Sequence, residues 1–496
     1  MIVRSDSPDL HEDTGIRFFG FLARDSHLID EVRPVKQIYF VNRMLVLALA
    51  VFLTGLLPGL VRAQGTWKAG VSRIKITPES YMWMSGYGGR MQPADGKNAD
   101  LWAKVLLLED SQGSRGYLVS LDLIGMDRTL SEKVCGLLKE KCGVERSRVM
   151  LCFSHTHTGP VVGRNLEPLH YRQVDGEQQT LIDQYALKLE TYLIDCVGGA
   201  IEDLEPCKLA WGSGTADFAV NRRNNPERDV VQLRAADALK GPVDHDVPVL
   251  SVRDAEGGVK AIVFGYACHA TVMSNTKWSG DYPGFAQSEL EDAYPGSVAM
   301  FWAGCGADQN PLPRRKLELA QKYGRQLATA VGDVLAKPMA EVSGSLVPRY
   351  REVSLELDKL PTRDELTKDA ESKDRFVRAR AEMLLEQIAS GHPLSQTYPY
   401  PIGAWQLGDQ VQFVFLGGEV VVDLSIRLKR ELNGTGTWVA GYCNDVMAYI
   451  PSLRVLREGR YEGVGAMVYY GLPTAWGPQV ETTVCDGVHS IFDGGE

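Results

Sequence analysis

The 496-residue chain has no basic stripe; its formal charge is −10 and its pI is near 5.5, which speaks against nucleic acid as a partner. No Walker-type glycine loop appears, so the usual cradle for nucleotide phosphates is missing. The nine cysteines are scattered, without a CxxC pair or the dense spacing of a disulfide scaffold, and their odd number leaves at least one unpaired within the chain. Several sit inside apolar runs, where a thiol acts as a small hydrophobe. From Trp67 onward there is neither a low-complexity linker nor an internal repeat. What is present is an ordinary globular composition, 44% hydrophobic and 23% charged, with 50 glycines that suit a turn-rich architecture better than a helical bundle.

Residues 44–60 form one apolar run, preceded by Lys36 and Arg43 and followed by Val61-Arg62-Ala63. A positive flank, an apolar core and a small-residue exit make a secretory signal peptide, so residues 1–63 are expected to be leader and signal and the protein to be exported, periplasmic or secreted. The competing reading is a membrane anchor. Pro58, Gly59 and a core short of the ~20 residues of a membrane span weigh against it.

Strand-like runs recur at 103–109, 116–124, 148–153, 247–253, 259–266, 297–303 and 410–416, with helical periodicity at 129–141, 180–203, 315–336, 362–390 and 421–432. Several runs are apolar almost throughout, as in strands covered on both faces. The alternation predicts an α/β fold of layered mixed sheets flanked by helices, in a single large domain over 64–496. The highly charged 362–390 segment is expected to be a surface helix.

Three of these runs, and a fourth at 437–442, end on chemistry-bearing residues. Strand 148–153 leads into Ser154-His155-Thr156-His157-Thr158-Gly159-Pro160, where two histidines that would point apart on a strand are followed by a turn. Strand 259–266 leads into Ala267-Cys268-His269 and on to Asp281, which could orient an imidazole or cap the helix starting near Pro283. Strand 410–416 leads into Gly417-Gly418-Glu419, and strand 437–442 into Asn444 through Tyr449, with Tyr461-Glu462-Gly463 beyond it. Each has a plain structural reading: a core histidine, a dipole-complementing glutamate, a half-buried tyrosine. Together, two His, a carboxylate and a further oxygen suit zinc, which lowers the pKa of its bound water towards ~7 and polarises a carbonyl.

The run SHTHTGP resembles the histidine motif of the neutral/alkaline non-lysosomal ceramidases, zinc amidases that split ceramide into sphingosine and fatty acid. The resemblance extends in order from Gly70-Val71-Ser72-Arg73 with Ile76-Thr77-Pro78 to Tyr461-Glu462-Gly463. It implies zinc on His155, on His269, on Glu419 of LGGE and on Tyr449 of NDVMAYIP, with His157 on the substrate carbonyl. Arg222, in AVNRR, would lie at the active site. Two departures stand out. The family's glycine-aspartate-x-serine-proline-asparagine motif is matched only by Gly304-Cys305-Gly306-Ala307-Asp308-Gln309-Asn310-Pro311, which lacks the serine. Asp308 then becomes the polar group expected at the site, or a brace for its loop, and Cys305 a weaker substitute nucleophile. The family's C-terminal immunoglobulin-like domain is also expected to be absent.

The resemblance thus implies a small-molecule or lipid N-acyl substrate, with peripheral membrane contact if that substrate is a lipid. A zinc esterase or deacetylase, and a non-catalytic lipid- or carbohydrate-binding exported protein, are the competing readings. Oligomeric state is not legible in the sequence.

Overall fold

The computed structural model describes residues 67–494; the expected signal segment at 44–63 lies outside the described residues. Among them, no helix is long and apolar enough to cross a membrane.

The apolar runs become two sheets stacked face to face. The larger is ordered Val298–Ala303, Val259–Tyr266, Asp246–Arg253, Glu205–Thr215, Trp67–Lys75, Trp102–Glu109, Arg115–Leu121 and Val149–Phe153, with Ala340–Glu341 as a short side strand. The smaller comprises Leu346–Glu356, Thr397–Leu407, Val411–Leu416 and Thr437–Ala440. Pairing is mixed: Val149–Phe153, Val298–Ala303 and Thr437–Ala440 run parallel to their neighbours, and most of the rest antiparallel.

Side-chain alternation explains why the strands read as continuously apolar. Leu106, Leu108, Leu118, Met150 and Met300 face the smaller sheet and meet Trp405, Phe413, Phe415 and Trp438. The intervening Val105, Leu107, Val119, Leu151 and Phe301 face a layer of helices. That layer is formed by Arg128–Cys142, Gly176–Glu202, Asp281–Ala293 and Leu317–Leu335. The outer face of the smaller sheet, with Ile402, Val414 and Leu416, is closed by Val422–Glu431 and Val480–Phe492. The fold class is therefore α/β, four layers deep, as the sequence pattern implied.

Two regions differ from expectation. The 362–390 segment forms two helices, Arg363–Asp369 and Arg375–Ala389, because Asp374 accepts from Phe376 N and starts a second helix. Leu346–Glu356 and Thr397–Leu407 were not marked by any apolar run. Leu346–Glu356 is mostly half-buried, Thr397–Leu407 is continuously buried only from 400 to 405, and Pro348, Pro399 and Pro401 interrupt the pattern.

Strand Trp67–Lys75 and helix Gly176–Glu202 touch backbone to backbone at Gly70, where an added Cβ would lie 1.9 Å from the Ala200 carbonyl oxygen. Gly70→Ala is expected to destabilise the fold by about 1–3 kcal/mol, read as a lower denaturation midpoint with unchanged slope.

Candidate metal centre

Five strands end at one side of the molecule, and their ends are sewn together across the two sheets. Cys152 and Cys443 form an antiparallel bridge, as do Gly304 and Ala440. Phe153 N donates to Tyr442 O (3.2 Å), Asn444 N to Leu151 O (2.8 Å) and Gly441 N to Ala303 O (3.0 Å). The chain leaves these ends through left-handed backbone at His155 (φ 57°), Tyr442 (φ 53°) and Asn444 (φ 62°). Such conformations cost a non-glycine residue of order 1 kcal/mol or more and persist only where the surroundings enforce them. At His155 the turn brings the two motif histidines together, with ring centroids 5.0 Å apart. The His269 ring lies 5.1 Å from His155 and 5.8 Å from His157.

The hydrogen bonds fix the orientation of the two deeper rings. His155 Nδ1 lies 2.7 Å from Ile124 O, and His269 Nδ1 lies 2.8 Å from Gly306 O. A carbonyl only accepts, so each Nδ1 carries a proton and Nε2 of the neutral ring carries a lone pair. Both Nε2 atoms face one carboxylate oxygen, Glu419 Oε2, at 3.3 Å and 2.9 Å. Burial, with Arg222 nearby, holds the His269 pKa down at about 4. Burial raises the Glu419 carboxyl, and it falls well below the usual carboxylate range only with positive charge on the side of His155 and His269. Lone pairs therefore meet lone pairs, and Glu419 Oε2 has no hydrogen-bond donor. A divalent cation satisfies that donor set, and imidazole with carboxylate suits zinc.

The remaining sequence-marked residues surround this cluster. Tyr449 OH lies 3.4 Å from His269 Nε2, and its oxygen accepts from Arg222 Nη2 at 3.1 Å. Arg222 also donates through Nε to Glu462 at 2.8 Å. His157 lines the adjoining cavity with neither ring nitrogen partnered. Burial, reinforced by His155 and His269, holds its pKa well below the ordinary histidine value. His155, His157 and His269 together form a potential metal-holding group among the described residues.

Asp308 takes a bracing position. Its carboxylate accepts from Val422 N and Asn221 Nδ2, both at 2.9 Å, and its carbonyl accepts from Arg222 N at 2.8 Å. Asp281 contacts no motif imidazole; it accepts from Met273 N (2.7 Å) and Tyr282 N (2.6 Å), tying the loop after His269 to a helix start. Cys305 is fully buried and burial pushes its thiol well up, the opposite of an activated nucleophile.

A model of the family described as neutral/alkaline non-lysosomal ceramidase, N-terminal, matches residues 67–309. Those residues belong to the neutral/alkaline non-lysosomal ceramidase family. That stretch contains His155, His157, Arg222, His269 and Asp308; Glu419 and Tyr449 lie beyond it. The chain is 28% identical over 327 residues to a neutral ceramidase of Pseudomonas aeruginosa, covering 61% of the chain and 46% of that relative. It is 27% identical over 305 residues to neutral ceramidase 1 of Arabidopsis thaliana, covering 58% and 38%. The ceramidase match thus spans less than half the length of these curated relatives. In fold it resembles the crystal structure of neutral ceramidase from Pseudomonas aeruginosa, with a TM-score of 0.66 at 22% identity over 86% of this chain and 74% of that one. It also resembles a ceramidase complexed with C2, with a TM-score of 0.66 at 19% identity over 86% and 75%.

Several residues of this site carry no motif signal. Tyr470 OH donates to Glu419 Oε1, and the Tyr442 ring lies 4.3 Å from the His155 ring. Arg90 Nη2 donates to His157 O at 2.6 Å, while the Tyr87 ring sits 4.8 Å from the His157 ring. Tyr442 adjoins the quoted Asn444 loop and Glu462 lies in the quoted YEG run; nothing local distinguishes Tyr87, Arg90 or Tyr470.

Burial raises both Asp281 and Asp308 to about 6. Between about pH 4 and about pH 6 the folded chain keeps protons that an unfolded aspartate releases, so this contribution to stability falls as pH rises through that window. The stability of Asp281→Asn relative to the parent is therefore expected to rise from pH ~4 to pH ~6 and level off above, measured by denaturant unfolding across pH.

Proposed function

We propose that this chain is a zinc-dependent amide hydrolase acting on an N-acyl substrate. The observation that carries this reading is the convergence of His155 Nε2, His269 Nε2 and Glu419 Oε2 with no donor between them. Tyr449 stands beside them as the fourth ligand, and the names of the curated relatives supply the amide class. A ceramide-like lipid is the substrate those names suggest, and the apolar segment at 44–60 supports export.

Zinc held there supplies Lewis acidity and a water-derived nucleophile at neutral pH. The chain's own residues do the positioning. Ile124 O and Gly306 O fix both ligand rings in one tautomer, the outer-shell bonding that orients metal-binding imidazoles. Tyr470 fixes the rotation of Glu419. Arg222 donates to the Tyr449 oxygen and offsets only part of the rise that burial and Glu419 give the phenol, which stays well above its ordinary value. His157, neutral and free at both nitrogens, offers an N–H to a substrate carbonyl oxygen where charge develops. The serine absent from the 304–311 loop is not needed for this chemistry.

Purified protein should contain about one zinc per chain by elemental analysis. His155→Ala or His269→Ala should lower metal affinity by at least ~100-fold, and full retention of metal by both variants would refute the centre. Gly86 (φ 97°) supports His157 from the other side, and an added Cβ would lie 2.4 Å from its Cγ. Gly86→Ala should therefore cut kcat by about 10²-fold or more with bound zinc retained, because the displaced ring is not a ligand.

A further inference from the structure

The cavity beside the centre has a volume of about 490 Å³ and is reached by His157, His269 and Tyr449. Its remaining wall is poor in aliphatic side chains. Among its lining residues only Pro226 and Leu312 are aliphatic, whereas Arg222, Arg223, Arg314 and Arg460 supply guanidinium groups. A long acyl chain gains affinity by leaving water for apolar surface. Here the apolar surface comes mainly from Tyr87, Tyr449 and Tyr461, and a chain extended past them would cover ionised groups, which lose their hydration without compensation.

The charge is unbalanced as well. The lining carboxylates are Glu227 and Glu462, and each is shared between two arginines. Glu462 accepts from Arg222 and Arg223, and Glu227 from Arg314 and Arg315. Arg223 also reaches Glu458, outside the lining. Arg460 has no carboxylate partner among the described residues and donates only to the Arg223 carbonyl, at 3.3 Å. Its backbone (φ 64°, ψ −152°) occupies a region that otherwise falls to glycine, so packing holds this exposed arginine at the cavity wall against its own preference. A guanidinium fork of this kind matches a planar carboxylate.

We infer that the preferred substrate is a short N-acyl amide bearing a carboxylate, with Arg460 as its specificity-determining contact. The inference rests on the amide-hydrolase reading of the centre and narrows its substrate class away from long-chain lipid. The carboxylate belongs either to the amine side, as in an N-acyl amino acid, or to the acyl side, as in an N-dicarboxyl amine; both present the same oxyanion to the arginine.

The test uses the zinc-loaded full chain and matched pairs. N-acetyl-leucine is compared with N-acetyl-leucinamide, N-glutaryl-butylamine with N-pentanoyl-butylamine, and both pairs with N-palmitoyl-sphingosine in detergent. The carboxylate member of one pair should show kcat/KM about tenfold or more above its neutral partner, and which pair does so assigns the side. In Arg460→Gln that ratio should fall about tenfold, with partial recovery in Arg460→Lys. Equal values within both pairs, or faster cleavage of the sphingosine amide, would overturn the inference while leaving the amide-hydrolase reading intact. If no amide is cleaved, that reading fails and thermal shift decides the inference. A larger Tm rise with N-acetyl-leucine than with its amide, lost in Arg460→Gln, upholds it; equal shifts overturn it.

Discussion

Everything at the centre follows from an electrostatic conflict that the fold enforces and the protein alone does not resolve. Two imidazole nitrogens, both acceptors, are held 3.3 Å and 2.9 Å from one carboxylate oxygen by backbone carbonyls that accept from the opposite ring nitrogens. In a buried site such a meeting is costly without a positive charge between the partners. The surrounding tyrosines and Arg222 hold the acceptors in place and supply no donor to Glu419 Oε2.

The backbone carries part of that cost. Left-handed residues cluster where chain leaves sheet: His155, Tyr442 and Asn444 at the seam, and Asp281 on the helix packed behind it. The neighbouring bonds explain why they persist. Asn444 binds Leu151 from both backbone and side chain, and the Asp281 carboxylate holds the Met273 amide. The four-layer packing of Trp302, Phe413 and Trp438 behind the seam supplies the rigidity that lets short turns be held so far from their preferred conformations.

The layered fold was legible because doubly covered strands have nowhere to place polar residues; 103–109, 148–153 and 259–266 could be read directly. Strands that are mostly half-buried, such as Leu346–Glu356, leave a weaker trace, and prolines disguise the buried run of Thr397–Leu407. At the site, His155, His269 and Glu419 were legible as polar residues closing apolar runs, and the fold brings their side chains together. Asp308 left two readings open, a polar group at the site or a brace for its loop. A loop that approaches a site and a side chain that enters it look alike in one dimension, and only the bonds to Val422 and Asn221 separate them. Tyr470 and Arg90 reach the centre from segments with no pattern of their own, so three-dimensional placement alone reveals them.

The stitched edge between the sheets has a mechanical meaning. His155 and His269 leave strands of the larger sheet, while Glu419 and Tyr449 follow strands of the smaller one, so an ion shared among them would act as a rivet through both layers. Its binding free energy would then add to the cohesion of the whole sandwich, because only the closed seam presents all four ligands at once.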